Sequence, residues 1–166
     1  MRLALLSGIL LACGGGGLSA GEVEDLPSGN AIGTDLSGTY ELDALTVACS
    51  GSCAPIDAFG LFVTLCDVGD RNSDVAVVTQ TDGVLRVDVE DNLSISRLEG
   101  GIFNDGSFEI GGVKTELGGR ARFISRATGF LDADGWRGEL EVRSVGSAEG
   151  QSRDCTAIVE VTGERE

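Results

Sequence analysis

The chain has 166 residues, 12 Lys and Arg against 27 Asp and Glu, a formal net charge of −15 and no His. A field of that sign repels nucleic acid and anionic lipid head groups, which excludes DNA, RNA and direct membrane-surface binding by the domain and leaves an unknown protein or a small neutral or cationic ligand as partner. Without His there is neither a Ser-His-Asp nor a Cys-His system, so no catalytic residue is expected and a carboxylate-based hydrolase is the only enzymatic alternative.

The first twelve residues place Arg2 ahead of an unbroken small and apolar run, Leu3 to Ala12. This is the charged and apolar layout of an export signal, and it is too short to span a bilayer, which takes roughly 20 apolar residues. The segment Leu10-Leu11-Ala12-Cys13, followed by Gly14-Gly15-Gly16-Gly17, resembles the signal of bacterial lipoproteins. That resemblance implies cleavage before Cys13, a diacylglyceryl group on its sulfur and an acylated N-terminus, with stable anchoring because more than one chain is carried. Gly14 in place of Asp after the cysteine implies the outer membrane in the same resemblance. The alternative is a cleaved signal that releases a secreted protein. Residues 13–35, rich in Gly, Ser and acidic side chains and without periodicity, read as a flexible linker, and residues 36–166 as one domain.

Within 36–166 the apolar residues alternate, and no long window supports a helical period. Leu85, Val87 and Val89 share one face against Arg86, Asp88 and Glu90; Trp136, Leu140 and Val142 repeat the device. So do Ala121, Phe123, Ser125 and Ala127, and then Cys155, Ala157, Val159 and Val161. Thr81-Asp82-Gly83, Asn104-Asp105-Gly106 and Asp132-Ala133-Asp134-Gly135 supply tight hairpin turns between such segments. The expected fold is all-β, an antiparallel meander closing into a small up-and-down β-barrel, with a β-sandwich as the alternative. Candidate strands fall near 37–48, 59–67, 74–80, 83–90, 93–103, 106–113, 119–131, 135–145 and 154–162. Nine strands cannot close an up-and-down barrel with antiparallel first and last members. One segment is therefore miscounted or lies outside the wall, and 93–103, interrupted by Gly100-Gly101, is the first choice.

The opening Leu36-Ser37-Gly38-Thr39-Tyr40, with hairpins throughout, resembles the small calycin-like barrels that include lipocalins and avidins. Those families bind small, mostly apolar ligands inside the barrel, and the resemblance transfers no ligand residue. Aromatics at 5% argue against an aromatic-lined biotin or haem pocket, so no cofactor is expected beyond weak calcium.

Besides Cys13 there are four cysteines, an even set suited to two disulfides in an oxidising envelope and open to three pairings. If the first and last strands are antiparallel neighbours, the end of one near Cys49 meets the start of the other near Cys155. That expectation gives Cys49–Cys155 and Cys53–Cys66. The alternating oxygens of Asp70, Asn72 and Asp74, with Asp67 just before them, have the spacing of a calcium loop, but Val75 and Thr81 stand where such a loop wants Gly and Glu. Asp132, Asp134 and Glu139 form a second fragment, and solvated hairpin turns are the simpler reading of both. The sequence thus points to a lipid-anchored, non-enzymatic envelope protein with a binding or interaction domain. A small-ligand carrier using the barrel interior is the alternative, and the two separate on whether that interior is hollow.

Overall fold

The computed structural model describes residues 17–31, 35–58, 61–63, 66–90, 92, 94–148 and 151–166. The expected export signal and the expected lipidation site, Cys13, therefore lie outside the described residues. Ten strands follow a short helix, α1 (Ala20–Glu24). They are β1 (Gly38–Gly51), β2 (Ile56–Ala58), β3 (Leu61–Val63), β4 (Arg71–Thr81), β5 (Val84–Val89), β6 (Arg97–Ile102), β7 (Ser107–Glu116), β8 (Ala121–Asp132), β9 (Gly135–Ala148) and β10 (Gln151–Arg165).

Eight of them close a barrel in the order β1-β10-β9-β8-β7-β6-β5-β4, and every neighbouring pair is antiparallel. The expected up-and-down barrel is the architecture found. Of the segment expected near 59–67, β3 lies outside the wall, where it forms a separate two-stranded sheet with β2. The segment expected to be expendable, 93–103, supplies β6. Its Gly100 and Gly101 are tolerated because neighbouring backbone runs where side chains would point: a Cβ at Gly101 would lie 2.6 Å from the Pro27 carbonyl oxygen. Even parity then makes β1 and β10 antiparallel neighbours.

The turns explain which end is which. Asp82 (φ 47°) and Gly83 (φ 80°) form the two-residue connection whose positive φ values match the twist of a hairpin. This turn, with those at 104–106 and 133–134, sits at the end here called lower; the longer connections, among them 52–70 and 90–96, sit at the upper end.

Inward positions follow the alternation expected. Tyr40, Val78, Leu85, Ile102, Ile110 and Leu131 are almost entirely removed from water and fill the lower half, where Phe108 and Trp136 stack at 4.3 Å between ring centroids. Tyr40 donates its hydroxyl to the Leu36 carbonyl at 2.8 Å, which satisfies the one polar atom this large side chain brings inside. Outward positions carry charges that pair across neighbouring strands: Arg86 faces Glu99 and Asp88 faces Arg97, each pair in contact at 2.7 Å.

The stretch expected to be a flexible linker is corrected from Gly17 onward. Residues 17–31 form a strap that runs down the outside of the wall. Glu22 turns back to accept the Ser19 N–H and hydroxyl at 2.7 and 2.6 Å, starting α1. Val23, 2% exposed, and Leu18 pack on Ile124 and Val113, which explains why the outward-facing Ile124 is buried. Gly111 faces Val23 so closely that a Cβ there would lie 2.6 Å from the Val23 Cβ. Further down, the Gly29 N–H donates to the Gly83 carbonyl and the Ala31 N–H to the Ile102 carbonyl, at 2.9 and 3.1 Å. At the top, Arg143 donates to the Gly17 and Leu18 carbonyls while clasping Asp154. The composition of this stretch resembles a linker because its few apolar residues, Leu18, Val23, Leu26 and Ala31, are too sparse to show a period. They have a surface to cover only once the barrel has closed.

The two disulfides are Cys49–Cys66 and Cys53–Cys155, not the expected Cys49–Cys155 and Cys53–Cys66. The premise of that expectation holds, because β1 does pair with β10. What defeats it is the register: past the bulge at Val47 Cys49 faces Ala157 and Gly51 faces Cys155, and even without the bulge Cys49 would face Thr156, on the opposite side of β10 from Cys155. The Ser52 N–H then donates to the Asp154 carbonyl at 2.7 Å, holding the chain on β10 until Cys53 reaches Cys155, with Cα atoms 4.7 Å apart. On the other side of β1, the Thr46 N–H donates to the Asp70 carbonyl and the Gly69 N–H to the Thr46 carbonyl. This continues the β1–β4 ladder upward and brings Cys66 to Cys49.

Candidate functional site

The upper half of the barrel is hollow. A cavity of about 580 Å³ extends from Trp136, Leu42 and Val161 up to the rim. Its cause is side-chain size. The lower half receives Tyr40, Leu85, Ile102, Phe108 and Leu131, whereas the inward positions above carry Ala44, Ala127 and Ala157 with Val87, Val89 and Val159. Eight strands set the same circumference at both levels, so small side chains leave space that large ones fill. Phe123 sits beside the cavity rather than in its lining, in a separate cluster with Ala121 and Val142.

The rim is polar. Asp67, Asp70, Asn92 and Ser94 line the upper end of the cavity with Thr46 and Cys66, and Asn72 and Asp74, which face Ala44 and Leu42, line its wall on β4. Asn92 braces it: its side-chain N–H group donates to Asp74 at 2.9 Å, and its Oδ1 accepts the N–H groups of Ser94 and Ile95. Its carbonyl takes Lys114 Nζ at 2.6 Å, and Lys114 in turn pairs with Glu116 at 3.0 Å, so this cation is already neutralised at the rim. The Cys49–Cys66 bond ties the rim to β1.

The residues singled out as calcium ligands are thus brought to one place, but not as a calcium loop. Asp70 precedes β4, in which Asn72 and Asp74 lie, and a strand spreads alternate side chains along roughly 3.3 Å per residue instead of wrapping them around a point. Asn72 Nδ2 donates to Asp70, and Asp74 is engaged by Asn92. Among the described residues no three His, Cys, Asp or Glu side chains converge on a position that could hold a metal ion. In the second fragment Asp132 is a turn residue: it accepts the Asp134 N–H at 2.9 Å and the Arg137 guanidinium at 2.8 Å. Those two bonds, the backbone one first, hold its carboxyl below the usual carboxylate range.

Among the described residues the buried polar side chains are Ser125 and Ser144, and no carboxylate is buried. The converging pair of buried carboxylates that a hydrolase reading requires is not found there. Ser125 is the feature sequence reasoning missed. Its hydroxyl, on an inward position between Phe123 and Ala127, has no hydrogen-bond partner. A Ser in an otherwise apolar inward set, Ala121-x-Phe123-x-Ser125-x-Ala127, was the available signal.

Compared with known proteins, the chain matches no family model, no curated protein and no solved structure.

Proposed function

We propose that this protein is a small-ligand carrier of the cell envelope that takes an apolar molecule into the upper half of its barrel. The cavity carries the proposal. Its volume of about 580 Å³ falls inside the range of ligand sites, roughly 300–1,000 Å³, and it is lined by apolar side chains on most strands, with polar groups on β4 (Asn72, Asp74) and at the mouth. An interaction module acting through its outer surface would have no use for a hollow interior, which sets the carrier above that reading.

The envelope location rests on the lipoprotein-like segment ending at Cys13. With the strap docked from Gly17, a lipid on Cys13 is separated from the barrel wall by four residue steps, at most about 14 Å of chain. The anchor then holds the barrel against the outer membrane instead of displaying it on a long tether. Mass spectrometry of protein isolated from membranes reads the modification at Cys13, and Cys13→Ser moves the protein to the soluble fraction.

Binding is tested by titrating apolar fluorescence quenchers against Trp136, the only tryptophan and part of the cavity floor. Saturable quenching is expected, together with its loss in Ala127→Phe or Ala157→Phe, which fill the space. Folded protein that shows no saturable quenching with any apolar probe overturns the carrier reading.

A further inference from the structure

We infer that the cavity selects amphiphiles with a cationic head group. The inference rests on the carrier reading and adds to it the chemistry of the ligand. An apolar chain enters a space whose wall, from Leu42 to Thr46 on β1, rises about 13 Å along the strand. That length takes most of a dodecyl chain and leaves the head group at the rim. There it meets Asp67 and Asp70, while Asp74, which faces Leu42 across the β1–β4 ladder, lies lower on the wall.

These carboxylates are available to a ligand. Among the described residues Asp70 receives only Asn72 Nδ2 and Asp74 only Asn92 Nδ2 as side-chain donors, and a carboxylate accepts about four hydrogen bonds. Lys114, which reaches the rim at Asn92, is held by the Asn92 carbonyl and Glu116. An ammonium head gains one or two ion pairs there, an alcohol gains hydrogen bonds alone, and a carboxylate is repelled. Each partly exposed pair is worth little, so the selectivity comes from their sum at one mouth while burial of the chain supplies the affinity. The chain's net charge of −15 acts in the same direction at longer range.

The experiment is isothermal titration calorimetry of the full chain carrying Cys13→Ser, with dodecylammonium, dodecanol and dodecanoate below their micellar concentrations. Dodecylammonium is expected to bind at least about tenfold tighter than dodecanoate, with dodecanol between them, and the ratio should shrink towards unity at high salt. In Asp67→Asn with Asp70→Asn the spread is expected to fall to about twofold. That variant keeps the turn, because the bonds that form it, Asp70 N–H to the Asp67 carbonyl and Thr46 N–H to the Asp70 carbonyl, are backbone bonds. Equal affinity for the three probes, or a preference for dodecanoate, overturns the head-group inference and leaves the carrier reading standing. Saturable binding of none of them overturns both.

Discussion

Removing the two disulfides separately tests both the pairing and the reason for it. Cys53 and Cys155 are 102 residues apart, Cys49 and Cys66 only 17. Closing loops of these lengths in the unfolded chain gives about 4.7 and about 3.1 kcal/mol of stabilisation, so Cys53→Ala with Cys155→Ala should be the more damaging double variant by about 1.6 kcal/mol. Urea unfolding measures the difference as a gap between midpoints, with a slope of roughly 1–3 kcal/mol/M for a domain of this size. The chemistry gives a second readout. No Lys or Arg lies between Arg2 and Arg71, while Arg153 and Arg165 bracket Cys155. Tryptic digestion of the Cys49→Ala/Cys66→Ala variant without reductant should therefore leave the Asp154–Arg165 peptide joined to the fragment ending at Arg71, with no free thiol among residues 36–166. Two free thiols there, or a Cys49→Ala/Cys66→Ala variant less stable than Cys53→Ala/Cys155→Ala, would refute the register argument.

Val23→Ala removes two buried methyl groups from the strap and is expected to cost about 1.5 kcal/mol in chemical denaturation, at about 0.8 kcal/mol per buried carbon; an unchanged midpoint would return residues 17–31 to the status of a linker. Gly83→Ala places a side chain at φ 80° and a Cβ 2.4 Å from the Gly29 carbonyl oxygen. The strain alone amounts to roughly 1–2 kcal/mol, and limited proteolysis should cut the strap faster than in the parent. Tyr40→Phe removes the bond to the Leu36 carbonyl and is expected to cost about 1 kcal/mol. Burial raises the Tyr40 pKa above the value of about 10 in the unfolded chain. The folded state therefore holds that proton longer, and stability falls as pH rises above about 10. Because Tyr40 is the only tyrosine, its ultraviolet titration follows this directly, and the Phe variant loses that part of the alkaline decline. At acid pH the sign is opposite. Side-chain and backbone bonds from Ser107 hold the Asp105 carboxyl low; the Arg143 guanidinium does the same for Asp154, and the Asp134 N–H and Arg137 for Asp132. Their contribution is complete above the unfolded value near 3.9 and is lost as pH falls through the lower folded values, so the unfolding midpoint should be flat from pH 7 to about 5 and decline below about 4.

Much of the wall was legible in the chain because a strand exposes its burial in the simplest period, two. The inward sets of β5, β8, β9 and β10 and the turns at Gly83, Gly106 and Gly135 were read directly from residue type. The candidate site was legible only in part. Asp70, Asn72 and Asp74 stood out, but for their spacing in a loop; with Asp70 just before β4 and Asn72 and Asp74 on it, the chelating pattern is spread from the mouth down the cavity wall. Trp136, Leu140 and Val87 were correctly named as interior residues whose surroundings would decide between hollow and filled, while Phe123 lies to one side.

By itself the sequence determined the all-β class, the antiparallel meander, the even set of domain cysteines and the acidic surface, since each depends on local alternation, turn chemistry or simple counting. Only the tertiary structure decided that β3 pairs with β2 outside the wall, that the β1–β10 register brings Cys53 rather than Cys49 to Cys155, that 17–31 is a strap, and that large and small inward side chains sort into a filled lower half and a hollow upper one. These are matters of register and volume. They arise when eight strands fix one circumference, and a period along a single strand carries no record of what faces it across the barrel.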